Sequence, residues 1–171
     1  MVHSASSAQP KLTKECVTLS TAETETFAEG IGQVAEPGWI IGLYGDLGAG
    51  KTAWVRGFAK GLGFAGRVHS PTYSLVNFYK GGRIPMAHLD LYRLNGKEEL
   101  YAAGLDEFLV RPEGISVVEW VERWWGDPLE TTLCTADLAE NPQALGVNQR
   151  WLRIECLDNS QRRIIYANLG V

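Results

Sequence analysis

The chain has 171 residues, 45% of them hydrophobic, with 16 Lys+Arg against 20 Asp+Glu and a formal net charge of −4. This content suits one globular domain with a proper core, and the acidic balance argues against a protein that grips nucleic acid unaided, since phosphate-backbone affinity comes chiefly from a Lys/Arg surplus. Cys16, Cys134 and Cys156 are odd in number and lack C-x-x-C spacing, so they point to neither a disulfide framework nor a zinc site; no stretch approaches a membrane span, and a reducing cytoplasm is expected.

Met1 to Pro10 are small and polar, without a basic n-region or an apolar h-region; residues 1–14 are read as a flexible tail and 15–171 as a single domain. Glu15 to Leu19 alternates weakly, as an edge strand would. Ser20-Thr21-Ala22-Glu23 then has the form of a capping box, and Phe27, Ile31, Val34 and Ala35 give the following helix an apolar face until Pro37-Gly38 ends it. Trp39 to Tyr44 is an apolar strand. Ala53 to Leu62 is amphipathic, with Trp54, Val55, Phe58, Ala59 and Leu62 on one face.

Between that strand and that helix lies Gly45-Asp46-Leu47-Gly48-Ala49-Gly50-Lys51-Thr52, a complete G-x-x-x-x-G-K-[ST] loop in the strand, loop, helix context the motif requires. Glycines allow the tight curl that turns successive amides toward phosphate oxygens, at the positive end of the helix. Lys51 supplies an ammonium for the β- and γ-phosphates. The Thr52 hydroxyl suits Mg²⁺, a hard cation that prefers oxygen. The pattern predicts binding of a nucleoside triphosphate.

Further along, Tyr73, Leu75 and Phe78 alternate as a strand would over Thr72 to Tyr79, and Gly81-Gly82 turns it into a second strand, Ile84 to Tyr92. Asn95 is expected to cap a short helix, Gly96 to Ala103, closed by Gly104. Ile115 to Trp120 reads as a buried strand. After Pro128 the signal weakens, but Trp151 to Cys156 and Arg163 to Asn168 look like a hairpin. Strands mixed with helices around a nucleotide loop predict an α/β fold, a three-layer P-loop NTPase-like domain with a mixed, partly parallel sheet.

Phosphoryl transfer needs a carboxylate to hold magnesium or order water, and two positions qualify. Glu119 is favoured because it ends the fully apolar run Ile115 to Val118; Asp90, in Met86 to Tyr92, has the alternative of a salt bridge to a neighbour such as Arg93. Ser70-Pro71-Thr72-Tyr73 lies where P-loop proteins place a segment that responds to the γ-phosphate. His69 and His88 are read as ordinary core or surface histidines. Glu98-Glu99 is read as a solvated helix face.

With these segments in place, the chain resembles the TsaE (YjeE) family, small bacterial ATPases of tRNA threonylcarbamoyladenosine biosynthesis. The likeness rests on Leu43 to Thr52, Arg56-Gly57, Ser70 to Tyr73, His88-Leu89-Asp90-Leu91-Tyr92-Arg93-Leu94 and Val118-Glu119-Trp120, in family order, and covers about Leu19 to Trp120. The resemblance implies that Gly45 to Thr52 holds ATP, that Thr52 and Glu119 hold Mg²⁺, that Asp90 is needed for hydrolysis, that Ser70 to Tyr73 is a switch, and that Trp120 matters for activity. It also implies cytoplasmic TsaD- and TsaB-like partners, with tRNA reached only through them, and no membrane.

The chain departs from the family pattern at Ala53, where many relatives carry a second threonine, and at Val121, where they carry proline; neither change removes an expected ligand. Trp124-Trp125 can be read as a partner-facing anchor or as core. Two other readings of the loop remain. A small-molecule kinase would want an arginine-bearing lid, and a GTP-dependent switch would want Asn-Lys-x-Asp, which Asn95-Gly96-Lys97-Glu98 does not match.

Overall fold

Three parallel strands carry the fold: β2 (Ile40–Tyr44), β5 (Ile115–Glu119) and β4 (Met86–Asp90), every residue of which is buried. Strands covered on both faces need apolar residues at successive positions, and these runs supply them. The computed structural model describes residues 13–126 and 148–170. Among the described residues the sheet has seven strands in the order β1-β7-β6-β2-β5-β4-β3, with β6 (Gln149–Cys156) parallel to β2, and β1 (Lys14–Thr18), β7 (Arg162–Ala167) and β3 (Val76–Tyr79) antiparallel to their neighbours. The mixed, partly parallel sheet is therefore as expected, including the C-terminal hairpin.

Alternate residues feed two cores. Ile41, Leu43, Val117 and Ile154 pack with α1 (Thr21–Val34) and α2 (Lys51–Gly61); Ile40, Tyr44, Leu89 and Val118 pack with α3 (Lys97–Ala102), α4 (Asp106–Val110) and the region of α5 (Glu122–Trp125). These are the outer layers of the sandwich. One half of the capping box forms at the start of α1: Ser20 Oγ accepts from the Glu23 amide at 3.2 Å, while Glu23 Oε2 accepts from the amide of Leu19, one residue before the cap, at 2.8 Å. The far end of α1 is held from the β3–β4 turn, where Arg83 Nη2 donates to the carbonyls of Gly32, Gln33 and Ala35 at 2.7, 3.0 and 2.6 Å. A cation on the last carbonyls of a helix both bonds them and opposes the dipole. Arg83→Ala should lower unfolding free energy by about 1–2 kcal/mol, read as a shift in the denaturant midpoint.

Several local expectations are corrected. Val34 is 49% exposed, because the buried stripe of α1 runs through Thr24, Ala28 and Ile31, one position round the helix. Tyr73 is 90% exposed and β3 begins only at Val76: the Leu75 amide donates back to Pro71 O at 2.6 Å, and Leu75 takes φ +64, so this stretch is a turn. Asn95 does not cap α3; its amide and Nδ2 both donate to the Glu99 carboxylate at 3.0 Å, and Gly96 stands at the cap. The short helix α4 has no counterpart in the sequence reading. Trp124 and Trp125 are half-buried against the second core, and a Cβ on Gly42 would meet the Trp125 ring at 2.5 Å. That close approach favours core packing over an exposed anchor.

Candidate nucleotide site

The parallel strands β2, β5 and β4 end together. Leu43 pairs with Glu119 and Glu119 with Asp90, so the exit of β2 into the glycine loop lies beside both acidic residues. Ligands of open α/β sheets collect outside such carboxyl ends. Here a pocket of about 520 Å³ opens, lined by loop residues Leu47, Gly48 and Gly50, by Thr52, Ser70 and Thr72, by Asp90 and Glu119, and by Trp120. Its size falls within the usual range for small-molecule sites.

The loop adopts the curled backbone its glycines permit: φ is +138 at Gly45, +78 at Gly48 and +108 at Gly50. At Gly45 a Cβ would also stand 2.4 Å from Ile154 O, so β6 presses on the loop from behind. Gly50 is the cap position of α2, whose first-turn amides have no acceptor within the helix. Lys51, only 4% exposed, donates from Nζ to Gly45 O at 2.6 Å and Asp46 O at 2.9 Å, and its ammonium lies 3.9 Å from the centre of the Trp120 ring. Burial pushes this ammonium below the ordinary lysine range, against the opposing pull of Glu119, Glu122, Asp90 and Asp46. Glu122 is pushed the other way by burial, and its Oε2 is buried with no hydrogen-bond partner among the described residues.

Two carboxylates organise the rest. Glu119, 3% exposed, accepts at Oε1 from Thr52 Oγ1 at 2.8 Å, so the last loop residue and the end of β5 are tied together. Asp90 faces the segment Ser70 to Tyr73: Oδ2 accepts from Ser70 Oγ at 2.8 Å and Thr72 Oγ1 at 2.5 Å, and Oδ1 accepts from the Tyr92 amide at 3.0 Å. The salt bridge of Asp90 to Arg93 is not formed; Arg93 instead lies 5.4 Å from the Tyr73 ring. Trp120 takes φ +60, a conformation that costs a non-glycine residue roughly 1–3 kcal/mol and that accompanies the indole's position over Lys51.

Among the described residues no group of three or more His, Cys, Asp and Glu side chains could hold a metal ion by itself. The hydroxyl and carboxylate of Thr52 and Glu119 are hard oxygen donors, and they fit a cation such as Mg²⁺ that keeps most of its waters and shares the rest with phosphates. Lys51 and the first-turn amides of α2 fit the anionic side of the same ligand.

Residues 18–151 match the family model described as Threonylcarbamoyl adenosine biosynthesis protein TsaE. The chain belongs to the TsaE family. Proteins named tRNA threonylcarbamoyladenosine biosynthesis protein TsaE match at 46% identity in Synechocystis sp. (58% of this chain, 65% of that one), 41% in Bacillus subtilis (60% and 63%) and 35% in Aquifex aeolicus (82% and 99%). The matched stretch thus spans just under two thirds of the Synechocystis and Bacillus TsaE proteins. The fold superposes on the crystal structure of Bacillus subtilis YdiB with a TM-score of 0.68 at 28% identity, covering 95% of this chain and 90% of that one. The TsaE match runs to Trp151, well past the last motif legible in the sequence at Trp120.

The structure brings Lys51, Thr52, Asp90, Glu119, Trp120 and the hydroxyls of Ser70 and Thr72 to one pocket, while Tyr73 projects into solvent. Further residues join them, among them Arg56 of the Arg56-Gly57 motif. Thr21 and Thr24 from α1 and Arg56 from α2 line the pocket, Arg56 paired with Glu25 at 2.9 Å. Arg162 from the C-terminal hairpin donates from Nε to Ala49 O at 2.9 Å and from Nη1 to Asp158 O and Gln161 O. In the sequence Arg162-Arg163 supports the resemblance only faintly, as part of a terminal strand pair; the pairing of β7 with β6 and of β6 with β2 carries Arg162 to the loop. His88, read as an ordinary histidine, hydrogen-bonds Glu119.

Proposed function

We propose that this TsaE-family protein binds ATP with Mg²⁺ and hydrolyses it slowly, in the cytoplasm, to assist the complex that attaches threonylcarbamoyl to the adenosine next to the anticodon in tRNA. The observation that carries the reading is the tie between Thr52 and Glu119 at the foot of a glycine loop whose lysine is already buried beside them. Lys51 and the loop amides would neutralise phosphate charge, and Thr52 and Glu119 would hold the cation. When bound, Mg²⁺ supplies further charge neutralisation on the phosphates. Asp90 would orient the attacking water through the switch hydroxyls it holds, and Trp120 would close the pocket over Lys51.

Family membership supports a place in threonylcarbamoyladenosine synthesis. TsaD- and TsaB-like partners would carry the tRNA, in keeping with a net charge of −4, and would speed a slow basal hydrolysis. No helix among the described residues is long and apolar enough to cross a membrane.

Phosphate release from ATP, measured alone and with the partner proteins and tRNA, tests the proposal. Wild type should be slow alone and stimulated in the complex. Glu119→Ala should lose hydrolysis by about 10² or more while keeping metal-free nucleotide binding within a few-fold. Transfer of the γ-phosphate to a metabolite instead would make the protein a kinase.

A further inference from the structure

His88 sits on β4 two residues before Asp90, on the same face of the strand, and is completely buried. Its Nε2 lies 2.9 Å from Glu119 Oε1. A carboxylate oxygen can only accept, so Nε2 carries the hydrogen. The other ring nitrogen, Nδ1, is buried without a hydrogen-bond partner among the described residues. A histidine kept merely to fill this space would be a poor choice, since an imidazole with an orphaned nitrogen costs more than an aliphatic side chain of similar size. The neighbours sharpen the point: the ring lies beside Tyr79, 6.3 Å between centres, on the apolar face shared with Val117 and Met86.

Glu119 Oε1 accepts from two donors, the Thr52 hydroxyl in front and His88 behind. These bonds come from α2 and β4, two elements whose positions are fixed by the core, and together they stop the carboxylate from rotating. The oxygen left over is Oε2. We infer that His88 is a positioning residue, which locks the Glu119 carboxylate so that Oε2 faces the cation site. The inference rests on the proposed reading of Glu119 as a magnesium ligand. Outer-shell partners of this kind commonly change metal affinity by about 10–100-fold.

The test is nucleotide titration of the full chain with a fluorescent ATP analogue, in Mg²⁺ and in EDTA, for wild type, His88→Leu, His88→Gln and His88→Asn. Electron paramagnetic resonance of Mn²⁺ in the nucleotide-bound protein serves as an independent readout of metal affinity. Glutamine carries its amide nitrogen about as far from the backbone as Nε2, whereas asparagine reaches only as far as Nδ1. Leu and Asn should therefore lower the Mg²⁺-dependent gain in nucleotide affinity about tenfold, with binding in EDTA within a few-fold of wild type, and Gln should restore the gain.

Wild-type metal linkage in all three variants would overturn the positioning role and leave the ATP proposal standing. Equal loss in all three, or loss of folding in both amide variants, would make His88 a packing residue and also overturn it. Absence of metal-linked nucleotide binding in the wild type itself would bring down both readings.

Discussion

Lys51→Ala should remove triphosphate binding by a factor of about 10² or more while the chain stays folded, as read by calorimetry against a circular-dichroism melt. The size follows from the site. The ammonium is almost wholly buried, so its charge acts on phosphates with little screening, and losing such a partner costs about 3 kcal/mol or more. Its two hydrogen bonds in the ligand-free protein are to carbonyls of its own loop, at 2.6 and 2.9 Å, and the chain gains little from them elsewhere. The same residue gives a pH signature. Burial sets its folded pKa below the unfolded value of 10.5, so between the two the unfolded chain binds more protons, and this residue's contribution to ligand-free stability rises with pH across that window. Phosphate binding needs the ammonium and should fall over the same window, with proton uptake on binding there. In Lys51→Ala both slopes should be absent.

Asp90→Ala should lower hydrolysis by about 10² or more and loosen the segment Ser70 to Tyr73, with nucleotide affinity changed only a few-fold. Asp90 does more than stand near the phosphates. Both of its oxygens are occupied, one by the hydroxyls of Ser70 and Thr72 and the other by the Tyr92 amide, so it latches the segment that would respond to the γ-phosphate. The readout that separates latching from simple acidity is hydrogen exchange at residues 70–75. Asp90→Ala should raise exchange there and leave α1 and the parallel strands protected. Asp90→Asn keeps an acceptor and should raise exchange less than Asp90→Ala, though hydrolysis falls in both.

What the sequence could reveal depended on how local the cause was. The glycine loop, its helix and the β5 carboxylate were legible because each obeys a short-range rule: left-handed backbone at fixed positions, a 3.6-residue stripe, an apolar run ending in an acid. Ser70-Pro71-Thr72-Tyr73 was legible as a motif and not as a shape. Tyr73 to Phe78 alternates like a strand, yet the side-chain bonds from Ser70 and Thr72 to Asp90, eighteen to twenty residues away, accompany a turn that delays β3 to Val76. Val34 and Asn95 show the limits of pattern at element ends, where one position of rotation or one competing carboxylate decides the outcome. The contacts of Arg162 and His88 with the site were unreadable for another reason. Each reaches the site only through the order of strands in the sheet, β7 beside β6 beside β2 and β4 beside β5, which no window along the chain contains.

The most direct check is isothermal titration of the folded chain with ATP in the presence of Mg²⁺. One ATP should bind per chain, more weakly when EDTA replaces the metal, and Lys51→Ala should give no binding under the same conditions. A folded wild-type chain that evolves no heat with Mg²⁺ and any common nucleotide, over a range of temperatures, would contradict the account.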